Sequence, residues 1–254
     1  MNYFLYGATS DIGVKRESQE DFVHFKELGK SCLLGIVADG TGSRKEYPQP
    51  AAIVTMEIID YIEEIYNSNT ELFMQDPEFF ITIAMKQANK ILGAFKMGNE
   101  ELFSGYATSI TCCLLFDDGR MYVGHSGNTR LYLIRNGMIN QLTKDHTKAA
   151  ELLNEGKIDV NTYHVHPDRL KMTSGIGVVV DPEIQTFTGK IKENDLILLT
   201  SDGIHYAIQP NAIAEIVLKS NDCVNASKNL IDAAKNIIKY PDNMSAMIIT
   251  RNKN

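Results

Sequence analysis

The sequence has no run of apolar residues near the ~18–20 that a membrane-spanning helix needs, and its start, Met1 to Tyr6, lacks the basic and apolar regions of a signal peptide. It has no Pro- or Ser-rich linker and no internal repeat, so residues 1–254 are expected to form one domain. Basic charge is in deficit. The net charge of −7 argues against a partner bound through a phosphate backbone, which needs a basic stripe. The four cysteines, Cys32, Cys112, Cys113 and Cys223, have no paired spacing and sit in apolar runs. They read as buried reduced thiols of a cytoplasmic protein. Cys112 and Cys113 are neighbours and would face opposite sides of a strand. No His-x-x-x-His or Cys-x-x-Cys spacing is present, which disfavours a zinc site on His146, His164 and His166.

What the chain does have is carboxylates at the ends of apolar runs. Asp39-Gly40 ends the run Leu33 to Ala38, and Asp202-Gly203 follows Leu196 to Leu199. Glu20-Asp21 and Asp242-Asn243 stand at two further strand boundaries. Carboxylates that converge repel one another unless a cation lies between them. Oxygen-only donors favour hard ions such as Mg²⁺ or Mn²⁺ over zinc. Taken singly, each Asp reads first as a turn or capping residue.

The patterning predicts strands over 3–9, 22–26 and 32–38. A helix is predicted over 49–66, with apolar residues at Ala51, Val54, Ile58, Ile62 and Ile65. A second, over 77–97, has Asp76 as its cap and Pro77 at its first position. Hairpins follow at 108–116/120–125 and 129–134/138–142. After a helical turn at 149–153, residues 156–183 are mixed and polar and read as a long flap. Strands at 184–187 and 196–200, helices at 210–219 and 223–239, and a strand at 244–250 complete the chain. Mostly hairpin-linked strands argue against a doubly wound parallel sheet. Two antiparallel sheets packed face to face, with helix pairs outside, account for the order: an α+β, four-layer α-β-β-α sandwich.

Seven blocks in order carry a resemblance: Thr9 to Asp21, Val37-Ala38-Asp39-Gly40, Gly105 to Ser109, Gly127-Asn128-Thr129-Arg130, Leu142 to His146, Thr200 to Ile204, and Asp242 to Ser245. The chain resembles the metal-dependent type 2C (PPM) serine/threonine protein phosphatases of compact bacterial type. The resemblance implies two Mn²⁺ or Mg²⁺ ions per chain. Asp39 would bridge both, and the Gly40 carbonyl would bind the second. Asp202 and Asp242 would hold the first. Glu20 and Asp21 would act through water. Arg16 would grip the substrate phosphate, and Asn243 would support the site. Phosphoserine and phosphothreonine would be hydrolysed by a hydroxide shared between the ions. Phosphoprotein substrates and a cognate serine/threonine kinase are the implied partners, with no nucleic acid and no membrane. The default state is a monomer in the cytoplasm.

The chain departs from the family pattern at Asn128, where an Asp usually helps to hold a third ion. That ion is in doubt, and Asn128 reads equally as a turn residue. Thr41 stands where some members have a histidine that protonates the leaving group. Proton delivery falls to water or another group; His164, His166 and His205 are candidates that read first as ordinary loop or surface residues. Gln19 replaces a common Asn and keeps its amide. Two rivals remain beside the zinc enzyme. A serine hydrolase built on Gly124 to Asn128 lacks the closing Gly and the following helix of a nucleophile elbow. A catalytically weak or inactive regulatory relative that binds phosphoproteins is the alternative that Asn128 motivates.

Overall fold

The computed structural model describes residues 3–237 and 242–252. Its strands are β1 (Phe4–Asp11), β2 (Asp21–Leu28), β3 (Cys32–Thr41), β4 (Ala107–Phe116), β5 (Arg120–Ser126), β6 (Arg130–Arg135), β7 (Met138–Gln141), β8 (Gln185–Lys190), β9 (Leu196–Thr200) and β10 (Met244–Arg251). Its helices are α1 (Pro50–Ser68), α2 (Thr70–Gln75), α3 (Pro77–Lys96), α4 (Lys148–Asn154), α5 (Val160–Val165), α6 (Asp202–His205), α7 (Pro210–Lys219) and α8 (Cys223–Lys235). A 3-10 turn covers Pro167–Leu170.

The strands form two five-stranded sheets, β1-β10-β9-β6-β7 and β2-β3-β4-β5-β8, with antiparallel pairing throughout. Strand alternation explains why β3 and β4 read as unbroken apolar runs. Leu33, Val37, Cys113 and Leu115 face the other sheet and pack with Leu131, Leu199, Met247 and Ile249. The intervening Leu34, Ile36, Cys112 and Leu114 face outward and pack with Val54, Ile58, Ile81 and Met85 of α1 and α3. Cys112 and Cys113 therefore lie in different cores, as their adjacency predicts. On the opposite side, Tyr132, Leu198 and Ile248 pack with Ile213, Val217 and Leu230 of α7 and α8. Each such buried side chain contributes about 1.5–3 kcal/mol. The result is the expected four-layer sandwich.

Capping follows the sequence. The Asp76 side chain accepts from Phe79 N at 3.0 Å, and Pro77 opens α3. Four elements were not expected, among them the single turn of α6. Helix α2 is a separate turn that the Asn69 side chain caps through Leu72 N. Helix α5 and the 3-10 turn lie inside the predicted flap, which is thus partly helical; Asp159 caps α5 through Thr162 N. The predicted helix 223–239 ends at Lys235, and residues 238–241 lie outside the described residues.

Candidate metal centre

Register brings the first pair of carboxylates together. Asp21 of β2 stands directly opposite Asp39 of β3, so both side chains project from the same face. Asp202 follows β9 and opens α6, and Asp242 precedes β10, the strand that pairs with β9. Chain ends meet here. The Asn243 carboxamide accepts from Glu20 N at 2.7 Å and donates to the carbonyls of Ile12 and Ser18 at 2.9 and 3.0 Å. This one amide fixes the loop that carries Arg16 and Glu20. Gly13 has φ +80°, and a Cβ there would collide with the Asp242 carbonyl. Only glycine lets this loop lie against residue 242.

Three carboxyls are displaced upward. Burial raises Asp21 to about 7, with the charges of Asp202 and Asp242 adding to it and Ser201 opposing it. Burial, then the charges of Asp202, Asp21 and Asp242, hold Asp39 well above the carboxylate range. Burial and the charge of Asp242 raise Asp202 to about 6, against the Asn128 hydrogen bond. Each shift registers negative charge crowded into a desolvated place. Asp21 Oδ1 is buried and has no hydrogen-bond partner. An all-oxygen donor set with an orphaned carboxylate oxygen fits a hard divalent cation.

The set is not closed. Among the described residues, no three His, Cys, Asp or Glu side chains stand in an arrangement ready to hold an ion. One reason is visible: the Asp242 carboxylate is turned to Arg16, whose Nη2 lies 2.8 and 2.9 Å from its two oxygens. Arg16, expected to grip phosphate, is thus engaged by a predicted metal ligand. Glu20 lies 4.0 Å from Arg16 and accepts from Ser43 N at 3.0 Å. Gly40 donates its N–H to the Glu20 carbonyl at 3.1 Å.

Asn128 is buried and is more than a turn residue. Its Nδ2 donates to Asp202 Oδ2 at 3.0 Å, while its N–H donates to Ser109 Oγ. Thr41 is exposed at the end of β3. Of the candidate histidines, His205 is buried, bonds Thr200 Oγ1 through Nδ1 at 2.9 Å and leaves Nε2 without a partner. Burial lowers its pKa well below the ordinary value. His164 is at the end of α5, and His166 accepts from Asp168 N. His146, named in the zinc rival, accepts from Gly127 N. Ser126, the nucleophile of the hydrolase rival, is fully buried and donates to the Glu183 carbonyl at 2.7 Å.

Two supporting residues escaped the sequence. Ser201 donates to Asp21 Oδ2 at 2.7 Å and accepts from Ser245 N, and the Thr108 hydroxyl donates to the Asp39 carbonyl at 2.9 Å. Both fall inside motif blocks, which is the only signal the sequence carries for them.

Comparisons with known proteins bear on the family and the fold. The family model described as Protein phosphatase 2C matches residues 13–235. Protein phosphatase PhpP of Streptococcus pneumoniae is 24% identical over 247 residues, covering 96% of each chain. The serine/threonine phosphatase PstP/Ppp of Mycobacterium tuberculosis superimposes with a TM-score of 0.82 at 25% identity, covering 98% of this chain and 99% of that one. The catalytic domain of PstP solved with two manganese ions gives 0.81 at 25% identity, with the same coverage. With seven motif blocks in order, the two-sheet sandwich and the carboxylate-bearing strand ends in place, the chain belongs to the protein phosphatase 2C family.

Proposed function

We propose that this chain is a metal-dependent serine/threonine protein phosphatase that hydrolyses phosphoserine and phosphothreonine in proteins. The observation that carries the reading is the meeting of Asp21, Asp39 and Asp202, with their carboxyls displaced upward, in a member of this family. Asp39, Asp202 and Asp242 would hold the cations directly, with the Gly40 carbonyl, and Glu20 and Asp21 would act through water. Two manganese ions in a relative that is 25% identical across 98% of this chain support a count of two. Mn²⁺ or Mg²⁺, when bound, supplies a nucleophilic water at neutral pH and positive charge against the phosphoryl oxygens.

The chain's own residues supply position and hydrogen bonds. The Arg16 guanidinium offers a planar fork of donors to a phosphoryl group. Asn243 holds the loop that aims it. Ser201 orients the Asp21 carboxylate and Asn128 the Asp202 carboxylate. No helix among the described residues is long and apolar enough to cross a membrane. We read residues 1–254 as one catalytic domain, acting as a cytoplasmic monomer opposite a cognate kinase.

The test is phosphate release from a phosphothreonine peptide, titrating Mn²⁺ and Mg²⁺ after chelator treatment. Activity lost with chelator and restored by Mn²⁺ supports the reading. Metal uptake without turnover identifies a regulatory phosphoprotein binder, the outcome that Asn128 motivates. Neither uptake nor turnover removes the metal-centre reading.

A further inference from the structure

Asp39 and Asp202 belong to different sheets, and a short turn beside them carries the chain from one sheet to the other. Strand β5 ends at Ser126 in the sheet of Asp39, and β6 begins at Arg130 in the sheet of β9. Arg130 pairs with Thr200, two residues before Asp202. On the first sheet, Ser109 of β4 stands directly opposite Asp39 of β3. Alternation puts both on the face that Val37 and Cys113 turn toward the other sheet. The Asp39 and Asp202 carboxyls meet across the gap between the sheets.

The Ser109 hydroxyl pins that turn. Its oxygen accepts from the N–H groups of Asn128 at 2.7 Å and Thr129 at 2.6 Å, and all three residues are buried. Gly127 permits the approach: its φ is +114°, and a Cβ there would collide with Ser109 Cβ and Oγ. His146 holds Gly127 itself, through Nδ1 and its backbone N–H, and the next two residues fall to Ser109. The Ser109 proton has one direction. Burial keeps His125 neutral, and the Lys144 carbonyl can only accept, so His125 donates from Nε2 at 3.0 Å and accepts at Nδ1 from Thr111 at 2.9 Å. Thr111 then accepts from Thr129 at 2.8 Å, and Thr129 from Ser109 at 3.0 Å. This chain of hydroxyls turns the Ser109 lone pairs to the two N–H groups. Asn128 passes the order on, donating from Nδ2 to Asp202 Oδ2 at 3.0 Å.

We propose that Ser109 is a positioning residue for Asp202: its hydroxyl pins the turn between the sheets and, through Asn128, fixes how Asp202 stands against Asp39. The proposal rests on the metal-centre reading given above. Hydrogen bonds to a ligating carboxylate set its direction, and losing such support typically weakens metal binding about 10- to 100-fold. Without the Ser109 oxygen two buried N–H groups lose their acceptor, and the turn that aims Asn128 must shift to satisfy them.

The test is Mn²⁺ uptake by the full chain, measured by calorimetry after chelator treatment, for the wild type, Ser109→Ala, Asn128→Ala and the double variant. Ser109→Ala is expected to weaken Mn²⁺ binding about tenfold. In the Asn128→Ala background the same substitution is expected to cost less than about threefold, because the link to Asp202 is already cut. Ser109→Thr keeps the hydroxyl and is expected to bind within about threefold of the wild type. If Ser109→Ala does not fold, Ser109→Cys, which fills the site but offers only a weak acceptor, takes its place in both backgrounds. A lower Tm with unchanged Mn²⁺ affinity would make Ser109 a purely structural residue and overturn the proposal. Equal losses in the two backgrounds, or no recovery in Ser109→Thr, would overturn it as well. Wild-type protein that takes up no Mn²⁺ sinks the metal-centre reading, and the proposal with it. Wild-type uptake that Ser109→Ala leaves unchanged sinks the proposal alone.

Discussion

Arg16 and Asp242, 226 residues apart in sequence, hold each other through both carboxylate oxygens, at 2.8 and 2.9 Å from one guanidinium nitrogen. A proposed phosphate ligand and a proposed metal ligand are thus partners in this structure. Arg16→Ala removes a charged donor from the phosphate and is expected to raise KM for an aryl phosphate by about 10- to 100-fold. Steady-state kinetics at saturating Mn²⁺ check this, and an unchanged KM assigns Arg16 to loop structure alone.

Asp39 is the carboxylate proposed to touch both cations. Asp39→Asn keeps the shape and removes the charge. Metal uptake measured by calorimetry is expected to disappear together with Mn²⁺-dependent turnover. Normal turnover in this variant would show that the metal centre has been misplaced.

At residue 128 the present amide donates to Asp202. Asn128→Asp sets a carboxylate against a carboxylate in a buried place, which requires a proton or a cation. The metal-free variant is expected to melt lower than the parent near neutral pH and to gain a larger rise in Tm on adding Mn²⁺. Equal Mn²⁺-induced shifts in both proteins would mean that no additional cation is recruited there.

His125 gives a pH dependence with a definite sign. Burial lowers its pKa from 6.5 to about 3, and its ring nitrogens are bonded to Thr111 and the Lys144 carbonyl. Between those values the unfolded chain binds the proton and the folded chain does not. Stability from this group is complete above 6.5 and falls as pH drops toward 3, by about 1.4 kcal/mol per pH unit at most. The raised carboxyls of the metal-free site act in the opposite direction, so the group is isolated by difference. In urea unfolding between pH 7 and 5, the parent is expected to lose stability relative to His125→Gln as the pH falls. Parallel curves would contradict the assignment.

Gly7 of β1 marks where α8 rests on its sheet. A Cβ at this position would run into the backbone of Cys223 and Val224. Backbone cannot move aside as a side-chain tip does. Gly7→Ala is therefore expected to destabilise the protein by about 1–3 kcal/mol, seen as a lower urea midpoint at unchanged slope.

The layers were legible because their causes are local. Adjacent residues in β3 and β4 serve different cores, so the strands read as continuous apolar runs, and that reading called for helices outside. The start of α3 was written in Asp76 and Pro77. The flap was not legible. Helix α5 is six residues long and buries only Tyr163, too little periodicity to detect, although Asp159 was an available cap signal. At the site, residue types marked the acidic strand ends. The contacts of Arg16 with Asp242, Asn128 with Asp202 and Tyr163 with Asp145 did not appear, because each depends on pairing between distant segments.

Pairing of β1 with β10 also governs when this protein can work. During synthesis, β2 to β5 and helices α1 to α3 emerge soon after β1 and can assemble most of one sheet. The other sheet waits: β10 lies between β1 and β9 and is the last of these strands to be made. Asp242 and Asn243 arrive with it, and until then the loop bearing Arg16 lacks its anchor. Such long-range closure slows folding and leaves an apolar face uncovered for longer. It also makes assembly of the proposed site wait for β10, so a nascent chain stalled before residue 242 carries neither the full proposed carboxylate set nor an aimed guanidinium.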